Sequence, residues 1–80
     1  MGNFFGANVR RHRLALGLSQ EALGEVLGVH QTHIANIEVG NKTPSFRLVK
    51  RFADFFGVSI DEMIVQPPSE QAAQPQPEPA

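Results

Sequence analysis

Glycines at positions 17, 28, 40 and 57 interrupt the chain at intervals of about a dozen residues, and that punctuation confines it to short elements. Gly17, Gly28 and Gly57 are each followed by an apolar residue and then a side chain able to cap helix amides, as Leu18-Ser19, Val29-His30 and Val58-Ser59. Between the stops, apolar residues recur three or four apart and no strand-like alternation persists. Five short helices follow. The first covers about residues 4–16, with Phe5, Val9, His12, Arg13 and Leu16 on one side and Gly17 placed to end it. The second starts at the Ser19 cap, with Leu18 meeting Leu23 across the cap, and ends at Gly28. The third runs from Gln31 to Glu38 behind a His30 cap, with Val29 facing Ile34, and Gly40 stops it. Ser45 caps a fourth, whose inward stripe reads Phe46, Val49, Phe52, Ala53 and Phe56. Ser59 and Glu62 form a capping box for a fifth, with Val58 facing Met63.

The expected fold is therefore all-α: a compact five-helix bundle over residues 1–65. From Gln66 the chain reads QPPSEQAAQPQPEPA, and its five prolines and polar residues leave too little apolar surface to offset the entropy of ordering. This tail is expected not to fold. The alternative is a proline-rich peptide that docks on a protein partner. Eighty residues without a cysteine exclude a disulfide framework and a thiolate zinc site, and suit a cytoplasmic setting. The first residues do not read as a signal peptide, and no stretch has the roughly 18 apolar residues of a membrane span.

The net charge of −1 conceals an asymmetry. All seven bases, Arg10, Arg11, Arg13, Lys42, Arg47, Lys50 and Arg51, lie in residues 1–57, where they face four acids. The remainder holds Asp61, Glu62, Glu70 and Glu78 and no base. The first part thus presents a modestly positive field, compatible with a polyanionic partner. His30 and His33 have helical spacing for a metal, but no third ligand accompanies them, so no metal and no cofactor are expected. A cysteine nucleophile, a glycine-rich phosphate loop and a paired-carboxylate constellation are all missing, and no enzyme is expected.

The stretch from Ser19 to Glu38 pairs two helices of about eight residues across Leu27-Gly28-Val29-His30. A short glycine turn sets such helices at a steep angle, so the second can enter a DNA major groove while the first crosses it. An ordinary helical hairpin is the alternative, and the third helix discriminates. With Ile34 and Ile37 inward, the opposite face carries Gln31, Thr32, Ala35 and Asn36, which are short and uncharged. A merely solvated face usually carries Glu and Lys; Gln and Asn can bond adenine bidentately, and Thr and Ala suit a thymine methyl. Phosphate donors are expected in Gln20 and His30 at the helix starts and in Asn41 and Lys42 after Gly40. Arg11 and Arg47 read equally as contacts or as solvent-facing charges.

The series from Arg13 through GLSQEALGEVLGVHQTHIANIEVGNKTPS, closed by Gly57-Val58-Ser59, resembles the Cro and phage-repressor helix-turn-helix family, also called XRE-type regulators. The resemblance covers about residues 5–64 and implies a lambda-repressor-like five-helix domain. It places Gln31, Thr32 and Asn36 at base-contacting positions and Gln20 at a phosphate-contacting one. It also implies an ion pair between Arg13 and Glu38. Gly24 stands where the family commonly has Ala, His12 where it is commonly apolar, and Val39 where polar residues are frequent.

One such module buries little surface on DNA, so a homodimer reading a pseudo-palindrome is expected. Phe55, Ile60, Met63 and Ile64 are its interface candidates. The expected function is a stand-alone transcriptional regulator, a repressor, with an antitoxin or other protein-interaction module that also binds DNA as the alternative.

Overall fold

The computed structural model describes residues 4–66, which form α1 (Phe5–Ala15), α2 (Gln20–Leu27), α3 (Gln31–Glu38), α4 (Phe46–Phe56) and α5 (Ile60–Ile64). No strand occurs among the described residues. Pro67 onward, the greater part of the segment expected not to fold, lies outside them.

Local chemistry accounts for each boundary. Ser19, Ser45 and Ser59 sit in extended backbone, and their side chains accept from the amides of Ala22, Leu48 and Glu62. Glu62 returns the bond to the Ser59 amide at 3.3 Å, completing the capping box of a helix only five residues long. Gly28 and Gly57 end α2 and α4 in the left-handed region, at φ 75° and 73°.

The core is Phe5 and Val9 of α1, Leu23 and Leu27 of α2, Ile34 and Ile37 of α3, Leu48, Phe52 and Ala53 of α4, and Met63 of α5. Phe5 meets Phe52 edge to face at 5.3 Å. Leu18, Val29, Val49, Phe56, Val58 and Ile60 seal the rim. Each fully buried large side chain contributes about 1.5–3 kcal/mol, which is how so short a chain holds together without crosslinks.

Five positions differ from the sequence expectation. Phe46 is 69% exposed, and Leu48, absent from the expected stripe, is buried in its place. Both lie about 80° from the centre of the α4 stripe, on opposite sides, so periodicity does not choose between them. Phe46 occupies the first helical position, preceded only by the loop, and has nothing to pack beneath. Leu16 caps α1 beyond the last turn and is exposed, while Leu18 packs against the core. Met63 is fully buried and so is withdrawn from the dimer candidates: α5 uses its inward face to close the core. Asn8, unmarked by any pattern, is fully buried with its amide donating to the carbonyls of Met63 and Val65, both at 2.8 Å.

Candidate nucleic-acid interface

The two helices that make up the candidate site meet with almost no space between them. Gly24 of α2 lies against the turn so closely that a Cβ there would come within 2.5 Å of the Val29 carbonyl oxygen. The Val29 amide donates to the Gly24 carbonyl at 2.9 Å, drawing the turn back over α2. Glycine at 24 and left-handed glycine at 28 thus set the approach of α3 together. His30 caps α3 through ring Nδ1, which accepts from the Thr32 amide at 3.0 Å. In the neutral ring the proton then sits on Nε2, an outward donor on an exposed residue.

A buried polar knot fixes the other end of α3. Arg13 Nε donates to Glu38 Oε2 at 2.6 Å and Nη2 to Oε1 at 3.0 Å, while Nη1 reaches the Leu18 carbonyl at 2.9 Å. Gln20 Nε2 donates to the same Oε1 at 3.1 Å. The Glu38 side chain is only 2% exposed, so its charge is compensated by α1 and by the first residue of α2. The Glu38 hydrogen bond raises the Arg13 pKa above its ordinary value, outweighing desolvation, and the guanidinium stays charged at every working pH. Gln20, considered from sequence as a phosphate donor, therefore spends one of its two amide hydrogens inward and keeps one.

With both ends held and Ile34 and Ile37 buried, α3 exposes Gln31 and Thr32 and leaves Ala35 and Asn36 half-buried beside them. The four span an arc of about 140° on one helix face. Behind them the Asn36 carbonyl accepts from the amides of Asn41 and Lys42, at 2.9 and 3.3 Å. That pins the polar loop to the end of α3, with Asn41, Lys42 and Thr43 exposed. Arg47 is exposed on the first turn of α4, whereas Arg11 folds back to donate to Asn8 Oδ1 at 3.1 Å, in the bonding around α5. Val39, the residue that caps the end of α3, is 70% exposed.

Two supports of this geometry left no trace in the hydrophobic pattern. Gly6 of α1 runs directly against the carbonyls of Ile37 and Glu38, where any larger residue would collide with backbone. Asn8 is the other. A buried asparagine and a glycine inside a helix's first turn are each readable only once the neighbouring helix is placed.

Comparison with known proteins agrees with this geometry. The sequence model of the helix-turn-helix family matches residues 9–63, from the middle of α1 to the core methionine of α5. An HTH-type transcriptional regulator of Bacillus subtilis, YazB, is 32% identical over 59 residues, covering 74% of this chain and 86% of its own. A second, MJ0272 of Methanocaldococcus jannaschii, is 37% identical over 57 residues, covering 71% and 86%. Among solved structures, the restriction-modification controller protein C.AhdI from Aeromonas hydrophila superposes with a TM-score of 0.68 at 29% identity, covering 74% of this chain and 89% of that one. These are regulators and not enzymes. The chain belongs to the XRE-type, Cro and phage-repressor helix-turn-helix family of DNA-binding transcriptional regulators.

Proposed function

We propose that this chain is a cytoplasmic repressor that binds a pseudo-palindromic operator as a homodimer, each subunit laying α3 in the major groove. The observation that carries the reading is the uncharged outward face of α3, Gln31, Thr32, Ala35 and Asn36, on a helix whose two ends are both fixed. Rigid presentation matters because base readout depends on hydrogen bonds of defined direction. Gln31 and Asn36 carry the amides for adenine edges, and Thr32 and Ala35 the methyl groups for thymine. The remaining hydrogen of Gln20, Nε2 of His30, and the exposed Asn41 and Lys42 surround this face as phosphate donors.

A second copy would dock on the side formed by Phe55, Ile60 and Ile64. Phe55 and Ile64 are exposed, Ile60 is half-buried, and Phe4, whose amide donates to the Ile64 carbonyl, extends the same surface. Half-sites about 10 base pairs apart would put both α3 helices on one face of the duplex. Repression by occupancy needs nothing beyond this bundle.

Selection of bound duplexes from a random pool, followed by the mass of the complex, tests the reading. A two-fold site and two subunits per duplex are expected; no enriched site, or one subunit on an asymmetric site, overturns it. Adding the protein to transcription from a promoter that carries the selected site should lower transcript yield, and a rise would mark an activator.

A further inference from the structure

Beside the proposed phosphate loop lies a groove of about 430 Å³ that shares Lys42 with that loop and Phe4 and Ile64 with the edge of the proposed dimer surface. Its walls are Phe4 and Ala7 of the α1 end, Val39, Pro44 and Val49 of the α3–α4 side, and Ile64 of α5, with Lys42 and Thr43 at one rim. Phe4, Val39 and Ile64 are exposed apolar residues, and a groove of this volume seats several side chains. Glu38, the acid in its lining, is already neutralised by Arg13, which leaves Lys42 as the free charge facing the groove among its described lining residues.

Resting on the DNA reading for its consequence, we infer that this groove is the docking site for the chain's own segment from Pro67 to Glu70, and that docking there competes with DNA for the loop at Lys42. Three observations select that occupant. The chain leaves α5 at Ile64, itself a wall of the groove, so Pro67 is tethered three residues away from it. The segment that follows begins Pro67-Pro68-Ser69-Glu70, two prolines of a kind that suits apolar walls and then a carboxylate opposite in charge to Lys42. Residues 67–80 contain two glutamates and no base, the charge opposite to that of the rim.

The energetics favour such a contact even if it is weak. A tethered segment acts at an effective concentration on the order of millimolar, so modest affinity suffices to fill the groove much of the time. Proline has little conformational freedom to lose on docking. The groove shares Val39, Gly40, Lys42 and Thr43 with the loop that follows α3, so a docked segment would engage Lys42 and hold a negative charge where a phosphate would lie. DNA and segment would then exclude each other. A groove filled about four-fifths of the time weakens apparent DNA affinity about fivefold.

The test compares amide chemical shifts of the DNA-free full chain with those of a chain ending at Gln66, and then the affinities of both for a selected duplex. Truncation is expected to move the amides of Val39, Gly40, Lys42, Thr43 and Ile64, and to tighten DNA binding about fivefold. A full-length Pro67→Ser, Pro68→Ser, Glu70→Gln variant should give the same changes without shortening the chain. Unchanged shifts overturn the inference, including when affinity rises, because the tail then acts only as a diffuse negative charge. The two chains are compared at matched concentrations, and a difference between them that appears only as the concentration rises also overturns it, since it identifies a second copy as the occupant. The shift measurement contains no DNA, so failure of the operator reading and failure of docking are distinguishable.

Discussion

Glu38 is the residue on which the orientation of α3 depends most. Its carboxylate is almost wholly buried and accepts from Arg13 twice and from Gln20 once. Removing one partner of a buried pair costs about 3–5 kcal/mol, because the survivor keeps an uncompensated charge. In a domain this small that is a large share of total stability. Arg13→Ala is expected to lower the melting temperature by more than about 10 °C, or to unfold the chain, on a scale of about 4–8 °C per kcal/mol. An unchanged melting curve would remove the pair from the account. Gly24 poses a contest between two effects. Alanine would gain about 1 kcal/mol of helix propensity, yet its Cβ would meet the Val29 carbonyl at 2.5 Å, and overpacking of this kind costs about 1–3 kcal/mol. Gly24→Ala should therefore destabilise, as chemical denaturation would reveal, despite alanine being the commoner residue among the proteins this sequence resembles.

His12 adds a pH dependence. It stacks on Phe56 at 5.0 Å, and burial, then the neighbouring Arg11 charge, lower its pKa against a smaller opposing pull from Glu62. The folded state thus prefers the neutral ring. Its contribution to stability is complete above the ordinary histidine value of about 6.5 and is lost as pH falls below it, where the unfolded chain takes up the proton first. Melting temperature should decline as pH falls below about 6.5, and His12→Phe, which keeps the stack, should flatten that part of the profile.

At the scale of elements, the helices were legible because their ends are written in short-range chemistry. Ser19, His30, Ser45 and Ser59 are caps in both sequence and structure, and α3 spans Gln31 to Glu38 in both. What periodicity could not supply was the choice between residues at the edges of a stripe, as with Phe46 and Leu48, or the use of a polar residue inside the core. Asn8 illustrates the second. A five-residue helix is far too short to persist alone, and α5 persists because its capping box closes one end while the Asn8 amide binds two carbonyls at the other. Asn8→Ala should cost about 2–3 kcal/mol by leaving those carbonyls unpaired in a buried setting. Hydrogen exchange would localise the damage to residues 60–65; uniform acceleration across the bundle would assign Asn8 a general packing role instead.

For the whole molecule, charge describes the partner only coarsely. The overall value of −1 says nothing of DNA, whereas the excess of bases in residues 1–57 and the all-acidic remainder, which begins with Asp61 and Glu62 of α5, separate a positive first part from a negative end. The sequence located the face of α3, but could not reveal that Gln20 also braces Glu38, that Arg11 is drawn into the bonding around α5, or that Met63 belongs to the core. Each depends on contacts between elements distant along the chain. The proposed phosphate donors are mostly neutral, with Lys42 the cation among them, so binding should weaken with salt less steeply than for strongly basic proteins. Lys42→Ala should reduce the slope of log affinity against log salt by about one per subunit and weaken all duplexes alike.

The central claim is that α3 reads base edges through Gln31 and Asn36. Its most direct measurement is a selection from random duplexes with the unaltered chain, Gln31→Ala and Asn36→Ala, each first shown to be folded. The account predicts that each substitution relaxes preference at its own one or two positions in each half-site, by about 1–3 kcal/mol of discrimination, and leaves the spacing between half-sites unchanged. Identical selected sequences from all three proteins would contradict it.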